Sequence, residues 1–459
     1  MVVAVRHQMT GLLFCGTVIN YIDRVNISIA APAILLDTGW SKVELGWVFS
    51  AFLFGNALLQ IPGGMLADRW SARKVLALAF CGFSLFTFLT PFGARVFALF
   101  LALRFLVGVF ESMTFPAVIS INSRWIPRSE FGRAHTLSVS GVNVGQVVAF
   151  PLTTWIVLTS GWEMVFFVNA AMGFLWAAVW YWFARDTPGE HPRISPAERS
   201  HIEANLPPRA SQRIALRAVL ATPSLLAVAL AYMCFAYVAW LMVFWFPTYL
   251  SEARGLAMGN IAMAGVAVMS AGFAGLVGGG ALADRFLRRG RSAQFARARL
   301  PGICILLALP FLLAVPLVES TLQSVTCLVA FAFLFNGGLS GFATLPVEFD
   351  RDQAGAISGA LSTCAVFASI FGPLTAGYVL GESGGNWMLP FAVSTLVGAA
   401  SGAIMLAVPV QPIHAVASVG AYVATEPVLP RTTSTPTGTQ ENLAVDPERV
   451  VSEARIGTP

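Results

Sequence analysis

The sequence predicts an all-α membrane protein of twelve transmembrane helices, arranged as two six-helix halves with pseudo-two-fold symmetry. Three observations predict it: an apolar composition with little charge, twelve apolar stretches of spanning length, and arginines confined to alternate loops. Of the 459 residues, 56% are hydrophobic and 11% charged. The mean hydropathy is +0.73. Soluble domains carry about 25% charged residues, and no globular fold of this size hides so much apolar surface from water. Lipid is the solvent that suits the excess.

A spanning helix needs roughly 20 mostly apolar residues. Such stretches fall near 12–32, 48–67, 75–91, 97–121, 136–158, 165–183, 225–250, 261–283, 301–317, 325–345, 357–380 and 388–408. Polar residues, Pro or Gly punctuate the ends of the first three, as turn chemistry requires. No A-x-A-like site closes the first stretch, so it reads as a mature helix and not as a leader.

Loop charge tests the count. Loops after even-numbered helices carry Arg69, Arg73 and Lys74; Arg124, Arg128 and Arg133; six arginines from Arg185 to Arg217; six from Arg285 to Arg299; and Arg351. The other loops hold only Lys42, Arg95 and Arg254. By the positive-inside rule both termini are cytoplasmic. The polar, proline-containing segment 184–222 divides the chain into an N-terminal bundle, 1–183, and a C-terminal bundle, 223–412. The tail 413–459, rich in Thr, Pro and Gly, is expected to be a disordered cytoplasmic extension.

Other function classes receive little support. The six cysteines lie inside apolar segments without CxxC spacing, so they read as small buried hydrophobes and not as a zinc site or disulfide framework. The histidines lie at or outside segment ends, which offers no metal site. No nucleophile elbow or phosphate loop suggests an enzyme, and no cofactor is implied. The net charge of +5 reflects loop orientation, not nucleic-acid binding.

An internal repeat links the halves. Gly63-Gly64-Met65-Leu66-Ala67-Asp68-Arg69 follows helix 2, and Gly279-Gly280-Ala281-Leu282-Ala283-Asp284-Arg285 follows helix 8. The heptads differ at one position and occupy equivalent places, as in a duplicated six-helix unit. They resemble the loop signature of the major facilitator superfamily, G-x-L-a-D-R-x-G-R-[KR]. The first copy continues Trp70-Ser71-Ala72-Arg73-Lys74, so Ser71 or Ala72 replaces the usual second Gly. The resemblance assigns Gly64, Asp68, Arg69, Arg73, Asp284 and Arg285 to a cytoplasmic gate. There the glycines permit close packing and the Asp faces a helix N-terminus.

A narrower resemblance covers helices 1 to 5. Asn20-Tyr21-Ile22-Asp23-Arg24 is similar to the N-Y-x-D-R signature of the anion:cation symporter family. Arg104-Phe105-Leu106-Val107-Gly108-Val109-Phe110-Glu111, followed by Phe115-Pro116-Ala117, is similar to its helix 4. Trp245-Phe246-Pro247-Thr248-Tyr249-Leu250 matches the family's end of helix 7. Members include bacterial proton symporters for sugar acids and other carboxylates, and vesicular organic-anion carriers.

Four charges lie inside the predicted helices: Asp23, Arg24, Arg104 and Glu111. Each costs ~2.5–3.5 kcal/mol at bilayer depth, and such residues mark pathways or proton relays. Arg104 and Glu111 share one helix face about 10 Å apart, with Gly108 on that face to admit helix 1. Asp23 and Arg24 point about 100° apart. A natural arrangement pairs Asp23 with Arg104 and leaves Arg24 for a substrate. The rival is an ion-pair network that only locks helix 1 to helix 4.

The resemblance implies roles. The Arg matching Arg24 binds a carboxylate through its planar fork. Those matching Asp23 and Glu111 carry the proton, and that matching Arg104 couples them. Uncharged helices 7 and 10 argue against a phosphate-ester antiporter. Neutral contacts are expected from Tyr21, Tyr237, Trp240, Trp245, Asn336, Ser362 and Thr363, although such aromatics are more often packing. Family members often have Tyr where this chain has Asn56, and Asn near Ser362. These departures weaken a sugar acid and leave a generic or aromatic carboxylate open. Asn143 and Gln146 on helix 5 supply alternative polar groups, or interhelical glue.

The expected function is import of a small organic anion by symport with protons, or with sodium, through alternating access. The expected setting is a monomer in a bacterial inner membrane. A proton-coupled exporter of a drug or metabolite is the alternative. Its G-x-x-x-G-P-x-x-G-G motif is broken here, where Gln146 replaces the Pro after Gly141 and Gly145. A ligand-sensing receptor would need a long folded extension, which the short Thr/Pro-rich tail does not resemble. The topology is testable. An impermeant thiol reagent outside intact cells should leave single cysteines placed in the 184–222 and 285–299 loops unlabelled; efficient labelling reverses the orientation.

Overall fold

The computed structural model of the chain describes residues 4–206, 222–350 and 353–410. The expected tail, Arg351, and the loop residues Arg209, Arg213 and Arg217 lie outside the described residues. Twelve long helices follow in order: α1 Val5–Thr38, α2 Lys42–Arg69, α3 Ala72–Gly93, α4 Phe97–Trp125, α5 Arg128–Ser160 and α6 Trp162–Phe183, then α7 Pro223–Glu252, α8 Met258–Arg288, α9 Gln294–Ala314, α10 Thr321–Phe349, α11 Ala354–Glu382 and α12 Met388–Ala407. A short helix, Pro196–Ala204, lies between α6 and α7.

Among the described residues, eleven helices, α2 to α12, are long and apolar enough to cross a membrane. α1 is longer still at 34 residues, but Asn20, Asp23, Arg24 and Asn26 depress its hydropathy. Two of the four buried charges, Asp23 and Arg24, lie in this helix. α1 stops at Gly39, whose φ of 71° is left-handed and whose N–H closes onto the Leu35 carbonyl.

Three helices break among the described residues, each at or just beyond the residue four positions before a proline. α2 divides at Leu59, before Pro62; α4 divides after Glu111, before Pro116; α11 divides at Ile370, before Pro373. Proline lacks the N–H that would bond the carbonyl four residues back, and its ring crowds that carbonyl. The break in α4 therefore ends a helical segment on Glu111.

The two halves repeat one packing scheme. α1 packs on α5 as α7 packs on α11; α2 on α4 as α8 on α10; α3 on α6 as α9 on α12. Gly108 serves this scheme differently from expectation. An added Cβ there would strike the Phe52 carbonyl and crowd the Asn56 nitrogen, so Gly108 admits α2 and not α1.

The halves meet through α1 with α7, α2 with α11, and α5 with α8. Their joining contacts gather at the end away from the arginine-rich loops. Lys42 pairs with Glu252 at 2.8 Å. The Ser50 hydroxyl donates to the Ile370 carbonyl at 2.8 Å. Phe49 stacks on Phe244 with centroids 4.8 Å apart. At the basic end, the ion pairs Arg6–Glu130, Arg124–Asp186 and Arg297–Asp284 each stay inside one half.

The start of the central segment folds onto the N-terminal half. Glu198 accepts the backbone N–H of Val5 at 3.2 Å and of Arg6 at 3.0 Å, and so caps the start of α1. His191 is buried against Trp125 and Phe183. Burial, helped by nearby Arg185 and Arg193, holds its imidazole below the usual range.

The far-end closure is testable. A Cβ on Gly377 would lie 2.6 Å from the Lys42 carbonyl. In a variant cleared of native cysteines, Gly377→Val should raise the maleimide reactivity of Ser50→Cys, a position otherwise buried. Unchanged reactivity would mean that this close approach does not hold the end shut.

Candidate functional site

The four buried charges converge where α1, α2, α4 and α7 meet. Arg24 and Asp23 come from the middle of α1, where consecutive residues point about 100° apart. Arg104 and Glu111 come from the first segment of α4. All four are almost wholly buried, at 5%, 1%, 0% and 0% exposure.

The pairing differs from the expected one. Arg24 donates from Nε and Nη2 to a single Glu111 carboxylate oxygen, at 3.0 and 2.8 Å. Asp23 instead accepts the Thr87 hydroxyl of α3 at 3.0 Å and the Asn26 amide at 3.2 Å. Among the described residues, none of the three guanidinium nitrogens of Arg104 has a hydrogen-bond partner. Its charge is balanced at longer range by Asp23 and Glu111. The reason is local geometry: Asp23 has two neutral donors close by, one of them a turn along its own helix. Glu111 keeps its second oxygen without a hydrogen bond.

Aromatic rings box the Arg24 guanidinium. Its carbon lies 4.8 Å from the Tyr21 ring centre, 5.4 Å from Phe52 and 5.7 Å from Trp240. Cation–π contact of this kind contributes roughly 0.5–2 kcal/mol when desolvated. Trp240 belongs to α7, so the C-terminal half reaches the ion pair of the N-terminal half. Phe52 also lies 5.2 Å from the Arg104 guanidinium carbon.

The remaining candidates divide. Tyr21 packs edge-on against Phe115 of α4. Ser362 of α11 bonds the Tyr232 hydroxyl of α7. Asn143 and Gln146 are half-buried on α5. Others bond a neighbouring helix or their own backbone. Tyr237 bonds the Thr375 hydroxyl at 2.5 Å, Asn336 donates to its own-helix Ala332 carbonyl at 2.9 Å, and Thr363 donates to Gly359 at 2.9 Å. Asn56 is buried beside Gly108. The Trp245 indole donates to the Pro373 carbonyl at 3.0 Å, so it ties α7 to the bend in α11.

The repeated loop residues stay within their halves. Asp68 accepts the Ser120 hydroxyl at 2.8 Å, not a helix N-terminus, while Arg124 reaches the Ala67 and Asp68 carbonyls at 3.1 and 3.3 Å. Arg73 bonds Asp186 through its backbone and stacks 4.2 Å over the Tyr181 ring. Gly64 faces Pro116. Asp284 pairs with Arg297 at 2.9 Å. Arg69 and Arg285 are exposed.

Sequence reasoning missed Phe52, Thr87, Asn26 and Tyr232. Asn26 was the accessible one, three residues from Asp23 and so on its face. Phe52 and Thr87 stand in apolar helices with nothing to distinguish them.

Comparison with known proteins agrees with this architecture. The model of the Major Facilitator Superfamily matches residues 13–373. A probable galactarate/D-glucarate transporter, GudP of Bacillus subtilis, is 31% identical over 427 residues, covering 89% of this chain and 93% of that protein. A probable sulfoacetate transporter, SauU of Cupriavidus necator, is 30% identical over 395 residues, covering 85% and 90%. A bacterial homologue of the human lysosomal transporter Spinster superimposes with a TM-score of 0.71 at 20% identity, covering 92% of this chain and 98% of that one. The fold is shared. The chain belongs to the major facilitator superfamily.

Proposed function

We propose that this chain imports a small organic anion, a carboxylate or a sulfonate, by symport with a proton. The observation that carries the reading is the buried Arg24–Glu111 pair at the seam between the halves. The relatives named as transporters of galactarate, glucarate and sulfoacetate support the anionic substrate.

The mechanism follows from partner exchange. Before substrate arrives, Glu111 neutralises Arg24. An incoming anion competes for the same guanidinium fork, whose planar donors suit carboxylate and sulfonate oxygens. Glu111 then loses its cation at a depth where an isolated charge is costly, and a proton neutralises it. Anion and proton are bound together, and neither alone leaves the site balanced. Asp23 remains as the acidic neighbour of Arg104. Tyr21 and Trp240 sense the substrate from opposite halves, with Asn143, Gln146 and Ser362 lining the path. The bundles 1–183 and 223–412 rock about this site, linked by 184–222. The contacts at the far end form the outer gate, and the path opens toward the basic, cytoplasmic end.

The anion assignment is tested by binding. A charge-assisted hydrogen bond contributes ~1.5–3 kcal/mol, so Arg24→Ala should weaken galactarate or sulfoacetate binding by more than about tenfold. Arg24→Lys should also weaken it, because charge without the fork is insufficient. Unchanged affinity for both anions in Arg24→Ala would remove Arg24 from the site.

Coupling is tested in proteoliposomes. Glu111→Gln should abolish accumulation driven by a pH gradient but retain substrate counterflow at equal pH, since exchange needs no net proton release. Asp23→Asn should be worse, because Arg104 loses its acidic neighbour on α1, and its expression should be followed in parallel. Gradient-driven accumulation in both variants would rule out proton symport through these carboxyls. Loss of expression in both, with surviving protein still coupled, would reduce the charges to a structural lock.

A further inference from the structure

We propose that an anionic phospholipid seats in the groove between α1 and α6 at the basic end of the N-terminal half. The groove has a volume of about 340 Å³ and is lined by Gln8, Gly11, Leu12, Val179, Trp182 and Phe183. It exists because position 11 has no side chain: a Cβ on Gly11 would meet nothing within 4 Å. Its apolar wall continues along both helices. Cys15 is exposed one turn beyond Gly11, and Leu175 is exposed two turns from Trp182. That direction leads into the bilayer, where an acyl chain lies.

The rim supplies the opposite chemistry. The Arg193 guanidinium stands 5.0 Å over the Trp182 ring, at the groove mouth. Arg185 is fixed beside it, donating to the Trp182, Phe183 and Ala184 carbonyls at 2.9, 3.4 and 2.8 Å. The neighbouring arginines are already engaged: Arg6 with Glu130 and Glu198, and Arg199 with Glu203. No carboxylate among the described residues lies within ion-pair distance of Arg193. An exposed Trp at an interfacial level beneath a cation matches a lipid with an apolar tail and a phosphate head. A neutral lipid would leave the arginine rim unanswered, and a free anion would leave the groove empty.

The test uses full-length protein in neutral detergent, with native mass spectrometry and thermal melting. Dioleoylphosphatidylglycerol should be retained in preference to dioleoylphosphatidylcholine and should raise the melting temperature. Arg193→Ala should weaken retention about fivefold, the usual worth of one interfacial cation. Gly11→Leu should abolish it without lowering the lipid-free melting temperature, because the new side chain enters open space. Equal retention of the two lipids, or unchanged retention in both variants, would overturn the proposal. Equal stabilisation by glycerol phosphate would assign the site to a free phosphate instead. Protection of Cys15 from maleimide in lipid-free protein would mean that a segment of the chain fills the groove, and would overturn it too.

Discussion

The rest of the structure is arranged around a guanidinium and a carboxylate held together out of water. Arg24 and Glu111 meet at 2.8 Å with almost no exposure. Deleting one partner of such a pair costs ~3–5 kcal/mol, because the other charge is left stranded. That constraint explains why α1 tolerates a polar middle and why rings from three helices close over Arg24. It also makes the pair a bistable element. Any anion that takes the guanidinium must be accompanied by something that neutralises the carboxyl.

The scaffold brings both halves to this pair. Trp240 reaches the guanidinium from the opposite half. On the same seam, Lys42–Glu252 and the Gly46–Gly377 approach tie the halves together at the far end. The breaks in α2 and α11, each ahead of a proline, lie on elements that form this seam. At the basic end, by contrast, Asp68 and Asp284 bind within their own halves. A substrate that draws on Arg24 therefore acts on the only cation that both halves touch among the described residues of the site.

Much of this was legible in the sequence. Composition, the twelve apolar stretches and the duplicated Gly-Gly-x-Leu-Ala-Asp-Arg heptad specified the fold, because lipid burial imposes a helix on each stretch. The four buried charges stood out because they are expensive there. Their pairing was not legible. Helical spacing places Asp23 and Arg24 on different faces but does not say which faces α4, and Thr87 on α3 decided the matter by satisfying Asp23. The role of Gly108 was misjudged for the same reason: a glycine marks a close approach without naming the helix that approaches. Tyr237, Asn336 and Thr363 looked like cavity groups, but their hydroxyls and amide serve neighbouring helices or their own backbone.

The central claim is that an anion binds Arg24 by displacing Glu111, which takes up a proton. Infrared difference spectroscopy on purified protein, with and without galactarate or sulfoacetate, observes that carboxyl directly. The account predicts that an anion which binds produces a protonated-carboxyl C=O band, and that Glu111→Gln abolishes this band while the anion still binds. An anion that binds the wild-type protein without producing the band, or a band unchanged in Glu111→Gln, would contradict it.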